Sequence, residues 1–89
     1  MQVKEEAEDV TNYSNTLLID MFKSIPKITE NLISFILVRR GEWFLKVSVH
    51  KNSTIMVIAQ HCYDMESTVI RFFTNQHIAA DFIEKLVEG

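Results

Sequence analysis

Between Leu32 and Thr74 the apolar residues recur at every second position, and three polar breaks, RRGE, KNS and YDMES, cut the run into four pieces. Successive side chains of a strand point to opposite faces, so this period over segments of strand length predicts an antiparallel meander. The first piece, LISFILVRR, puts Ile33, Phe35 and Leu37 on one face and Leu32, Ser34, Ile36 and Val38 on the other. EWFLKVSVH is the cleanest alternation: Trp43, Leu45, Val47 and Val49 point to a core, Lys46, Ser48 and His50 to water. TIMVIAQHCY and STVIRFFT supply the third and fourth strands, and the glycine of RRGE supplies the positive φ of a tight turn.

Helical spacing flanks this run. Val3, Ala7, Val10, Ser14, Leu17 and Met21 alternate at spacings of four and three, the a/d rhythm of a coiled coil. The competing reading is an amphipathic helix packed on its own domain; it is favoured for Leu17 to Phe22 and level with the coiled coil for the acidic first ten residues. Pro26 disfavours helix at Ile25, so the helix should stop near Ser24. At the other end Thr74 or Asn75 can cap a helix over residues 75–87, with Ile78, Phe82 and Leu86 in one row, Ala79, Ile83 and Val87 beside it, and Gly89 after its last turn. The expected fold is α+β: an N-terminal helix, a four-stranded antiparallel sheet, and a C-terminal helix packed on one face. It forms one domain over residues 1–89, with 1–24 as a helical lead-in that could form a coiled coil and 30–89 as the sheet and closing helix.

A chain of 89 residues, 47% of them apolar, sits near the size where one core is only marginally stable alone. A partner subunit would bury what so small a monomer leaves exposed. The net charge of −3 argues against a phosphate-binding surface. The single cysteine cannot form an internal disulfide, and the acidic start MQVKEEAED lacks the features of a signal peptide. No apolar run approaches the ~20 residues of a membrane span. The Asn-x-Ser/Thr triplets at Asn12 and Asn52 then read as chance, and the expected location is intracellular, cytoplasmic or nuclear.

HKNSTIMVIAQHCYD gathers two of the three histidines and the cysteine. Alternation sends His61 and Cys62 to opposite faces, so they cannot act as base and nucleophile. Cys62 among Met56 and Ile58 reads as an inert small hydrophobe. His50 and His61 fall near opposite ends of a hairpin, about 20 Å apart, which is no ligand pair for zinc. No phosphate-binding, zinc-protease or nucleophile-elbow motif occurs. Asp81, Glu84 and Glu88 form a solvated helix face. We therefore expect no catalytic residue, cofactor or metal ligand. Arg39 and Arg40 beside Trp43 could hold a nucleic-acid backbone, although on an acidic domain a solvated turn is the favoured reading. A Cys62-dependent enzyme is the other alternative.

Excess apolar surface is the unusual feature. The third and fourth strands are apolar on both faces, with Ile55, Val57 and Ala59 against Met56 and Ile58, and Ile70 and Phe72 against Val69 and Phe73. The N-terminal helix within the monomer, or a homologous or heterologous partner, could cover the second face; the partner is favoured. The expected partner contacts are Val10, Leu17, Met21, Phe22, Met56 and Ile58. Trp43, Val47, Phe72, Phe82 and Leu86 are expected in the chain's own core.

The lead-in, the strand LISFIL, the strand pair WFLKVSVHKNSTIMV and the ending FFTNQHIAADFIEKL resemble the C-terminal globular domains of the Spc-type subunits of the Ndc-eighty kinetochore complex, which are RWD-like. The resemblance spans roughly residues 10 to 88, with Phe82 pointing inward as in that family's closing helix. The family's linker after the third strand is short here. The resemblance implies heterodimerisation through coiled coil and sheet, and docking of a centromere-side receptor peptide. Similar element orders occur in the basic Alu-binding proteins of the signal-recognition particle and, at the C-terminal end, in pleckstrin-like domains. The expected function is that of a non-enzymatic protein–protein interaction module, a subunit of a larger complex.

Overall fold

The computed structural model describes residues 7–64 and 66–86. The elements are β1 (Glu8–Asp9), α1 (Asn15–Lys23), β2 (Ile36–Arg40), β3 (Trp43–Val49), β4 (Ile55–His61), β5 (Thr68–Phe73) and α2 (Gln76–Leu86). The sheet runs β1-β2-β3-β4-β5, antiparallel except that β1 lies parallel to β2. The fold is α+β, as the sequence predicts, but the sheet is five-stranded and mixed rather than four-stranded and antiparallel.

The extra strand comes from the segment expected to be helical. Helix in the described lead-in is confined to Asn15–Lys23. Val3, Val87, Glu88 and Gly89 lie outside the described residues. Ahead of α1, the Asp9 carboxylate accepts from the Thr11 N–H and hydroxyl, a local turn that competes with helix. The Val10 N–H donates to the Arg39 carbonyl at 2.8 Å, so long-range pairing has taken the donor a helix would use. Ser14, counted as one position of the heptad rhythm, is the extended N-cap of α1 and accepts from the Leu17 N–H. At the other end Ser24 closes the helix and Pro26 follows, as expected. Asn75 caps α2 by accepting from the N–H groups of His77 and Ile78.

One hydrogen-bond parity runs through the meander. Cys62 donates to the Glu42 carbonyl, His61 to that of Ser67, Val10 to that of Arg39 and Ile28 to that of Val49. With the registers, these fix which way each backbone group points. The same parity puts Val38, Leu45, Val47, Val49, Ile55, Val57 and Ala59 on one face, all buried against Leu18 and Phe22 of α1 and Ala79, Ala80 and Ile83 of α2. Both turns need a left-handed residue: Gly41 at φ 62° between β2 and β3, and Ser53 at φ 72° between β3 and β4.

Of the expected core, Val47 is fully buried, and Trp43, Phe82 and Leu86 pack against the core while partly exposed. Phe72 does not: it is 62% exposed. In VIRFF either phase is apolar, and pairing Met56 with Phe72 and Val57 with Arg71 gives the covered face to Val69, Arg71 and Phe73. The first predicted strand is also shorter than expected. Only Ile36–Arg40 pairs, and Leu32, Ile33 and Phe35 stand exposed ahead of it.

Candidate interaction surface

The face of the sheet away from the helices carries Leu37 on β2, Phe44, Lys46 and Ser48 on β3, Met56, Ile58 and Gln60 on β4, and Ile70 and Phe72 on β5. Cross-strand pairing sets Met56 beside Phe72 and Ile58 beside Ile70, so their side chains are nearest neighbours. Phe35 joins the face through Lys46, whose Nζ stands 4.3 Å from the centre of its ring. Phe44, Ile70 and Phe72 are 45%, 50% and 62% exposed. Leu37, Phe44, Lys46, Ile58 and Gln60 help line a depression of about 340 Å³ in this face. Contiguous exposed apolar surface of this kind marks interaction sites, whereas scattered single residues do not.

The expected contact residues divide among three places. Met56 and Ile58 lie half-buried on this open face. Leu17 is exposed and Met21 half-buried on α1, in the layer on the other side of the sheet. Val10 and Phe22 are inside the chain's own core and are unavailable to a partner. The six residues therefore form no single surface. Phe35, Phe44, Ile70 and Phe72 belong to the open face but escaped the sequence reading. Register places the last three there: Phe44 pairs with Gln60, Ile70 with Ile58 and Phe72 with Met56.

Arg39 and Arg40 also separate. Arg39 is exposed, and its Nε donates to the Gly41 carbonyl. Arg40 is 5% exposed and donates to the carbonyls of Val10 at 2.6 Å and Tyr13 at 3.1 Å. Its guanidinium ties the N-terminal segment to the sheet and faces no solvent. Of the expected pair, only Arg39 is therefore available to a nucleic-acid backbone.

The histidine-and-cysteine stretch ends in a second cluster. His61 Nδ1 accepts from the Tyr63 N–H, which places its proton on Nε2, 3.1 Å from Glu42 Oε1. Trp43 meets the His61 ring edge-on at 5.1 Å, and Tyr63 lies 5.9 Å away. His50 is at the far end of the β3–β4 hairpin, and Cys62, a free and half-buried cysteine, follows β4. Among the described residues no three His, Cys, Asp or Glu side chains converge as metal ligands. The turn after this cluster is closed by Asp64, which accepts from the Ser67 hydroxyl at 2.6 Å and the Glu66 N–H. These bonds, the hydroxyl first, hold its carboxyl below the ordinary value.

No helix among the described residues is long and apolar enough to cross a membrane. No protein-family model, curated protein or solved structure matches the chain.

Proposed function

We propose that the chain is a non-enzymatic protein-interaction module, and that it binds its partner through the open face of the sheet. The observation that carries this reading is the contiguous apolar set Phe35, Phe44, Met56, Ile58, Ile70 and Phe72 on a face that neither helix covers. Lys46 over Phe35 adds a cation beside the apolar strip, an arrangement suited to a partner that is apolar at its centre and acidic at its rim. Within this reading, membership of a larger assembly is a further proposal. So is the likeness to kinetochore-type docking domains, which draws support from the order of meander and closing helix alone.

The test is co-purification of the full chain in parallel with Met56→Glu and Ile58→Glu variants. Partners retained by the parent and lost by both variants, at unchanged circular dichroism, are the expected result. Identical partner sets from all three chains would overturn the reading. A Cys62-dependent enzyme predicts instead rapid alkylation of the native thiol at neutral pH, together with an activity lost in Cys62→Ser.

A further inference from the structure

The five-stranded sheet ends in β5, and backbone parity decides which of its groups are committed. The Ser67–His61 hydrogen bond fixes the pairs Val69–Ala59, Arg71–Val57 and Phe73–Ile55 as the hydrogen-bonded ones. The N–H and C=O groups of Ile70 and Phe72 therefore point away from the sheet. Thr68–Phe73 contains no proline or bulge, and its one charge is Arg71 on the covered face. One partial guard is present: Arg71 Nη1 donates to the Ile70 carbonyl at 3.1 Å. A carbonyl has two lone pairs, so this oxygen can still accept a second bond. Both layers are apolar at this edge. Ile70 and Phe72 lie on the open face, and Ile78, 58% exposed, lies on α2 one turn before the Phe82 that packs on Phe73.

We infer that β5 is a self-pairing edge, on which a second copy of the chain adds its own β5 antiparallel about a two-fold axis through Ile70. The strand's charge pattern is compatible with its own copy as occupant and singles out the register. The hydrogen-bonded intermolecular pairs must use outward-pointing residues, so even-numbered positions oppose even-numbered ones and odd-numbered positions fall between them as the non-hydrogen-bonded pairs. Two such registers overlap five residues of β5. One, over residues 69–73, sets Arg71 directly against its own copy, a like-charge pair that is unfavourable. The other, over residues 68–72, sets Ile70 against Ile70, Phe72 against Thr68 and Arg71 against Val69. No like charges then face each other, and a two-fold assembly is the ordinary isologous solution. The product is a continuous ten-stranded sheet with the open faces of both copies on one side. This goes beyond the open-face reading: the seam is the β5 edge, while the partner surface extends inward to Phe44.

Sedimentation of the full chain over a range of concentrations, with Ile70→Pro and Phe44→Glu variants, tests it. Ile70→Pro removes an N–H that the β4–β5 ladder does not use. It is expected to leave a folded monomer where the parent is a dimer. Phe44→Glu changes the open face far from the seam and is expected to stay dimeric, so failure of the open-face reading would not mimic failure of this one. Cysteine cross-linking gives a readout that does not depend on the proline variant folding. In a Cys62→Ser background, Ile70→Cys places two Cα atoms about 5.5 Å apart across the axis, within disulfide range. It is expected to form covalent dimer on mild oxidation faster than Thr68→Cys or Phe72→Cys. A parent that stays monomeric at every concentration overturns the inference. So does a dimer that Ile70→Pro leaves intact while folded, equal oxidation of the three cysteine variants, or occupation of the edge by a strand of another protein.

Discussion

Both faces of the sheet draw large apolar residues from the same strands, yet only one is closed. On the helix side, Leu45, Val47, Val57 and Ala59 meet Leu18, Phe22 and Ile83 and lose their water. On the other side Phe44, Ile70 and Phe72 keep about half of their surface in water, and Met56 and Ile58 are half-buried among them. Nothing intrinsic to a side chain separates the groups; position relative to two short helices does. Adjacent residues on one strand therefore test the contrast most severely. Leu45→Ala is expected to cost about 3 kcal/mol in urea unfolding, because it opens a cavity in a packed layer. Phe44→Ala should cost less, about 1 kcal/mol, since the residue is already 45% exposed and its loss opens no closed cavity. Equal losses would mean the open face is closed in solution, and would break the comparison.

A second adjacent pair sharpens it. Arg40 shares the covered face with Val38, and its two bonds to the carbonyls of Val10 and Tyr13 hold the segment ahead of α1. Arg40→Met removes both, and while the Val10 carbonyl keeps the Tyr13 N–H, that of Tyr13 loses its donor, so a loss of about 2 kcal/mol is expected by thermal unfolding. Arg39→Ala, one residue away and exposed, should change stability by no more than about 0.5 kcal/mol. A nucleic-acid role for the pair would predict the reverse emphasis: a salt-dependent binding loss in both variants and little effect on folding.

The meander was legible because each piece of it is local. EWFLKVSVH announces its inward set by alternation, Gly41 marks its turn, and Asn75 caps the closing helix just ahead of its first turn. What was not legible depends on pairing between distant segments. Glu8–Asp9 is two residues long and becomes a strand only because β2 offers it an edge. The heptad spacing from Ala7 to Met21 is real as spacing. Ser14 breaks it by capping, and Val10 belongs to the core beside β2 rather than to a helix stripe. Phe72 was misassigned for a related reason. Apolar residues flank Arg71 on both sides, so local alternation does not fix the phase of the strand. Two of the six apolar residues of the candidate surface were visible, Met56 and Ile58, because a strand apolar on both faces is a local signal.

The turns set that phase, so they are where the contrast can be adjusted gently. Ser53 holds φ at 72°, a region that costs a residue with a Cβ about 1 kcal/mol. Its hydroxyl accepts from Lys27 Nζ at 2.9 Å, an exposed bond of little worth. Ser53→Gly is expected to stabilise the chain by about 0.5 kcal/mol, the relief of strain outweighing the lost bond and the added freedom of the unfolded chain. Ser53→Ala, which loses the bond and keeps the strain, should destabilise slightly. A gain from both substitutions would show that strain at this turn does not limit stability.

The smallest expected effect lies at the turn between β4 and β5, which fixes whether Val69 or Ile70 faces the helices. The Asp64 carboxylate accepts from the Ser67 hydroxyl and the Glu66 N–H, and its acidity is increased chiefly by the hydroxyl. A carboxyl whose folded pKa lies below its unfolded one adds stability above the unfolded value and loses it as pH falls through the folded value. Asp64 therefore contributes fully at neutral pH, and its contribution fades below about pH 4. Asp9 behaves with the same sign through its bonds from Thr11. Unfolding temperatures of the parent, Asp64→Ala and Asp9→Ala, measured from neutral to acid pH, should show each variant below the parent at neutrality and converging on it in acid. Both carboxylates are exposed, so the separation should be small beside that between Leu45→Ala and Phe44→Ala. An Asp64→Ala curve parallel to the parent's at every pH would mean that the charged carboxylate does not hold this turn. The phase of β5 would then be set by packing of Phe73 on Phe82 alone.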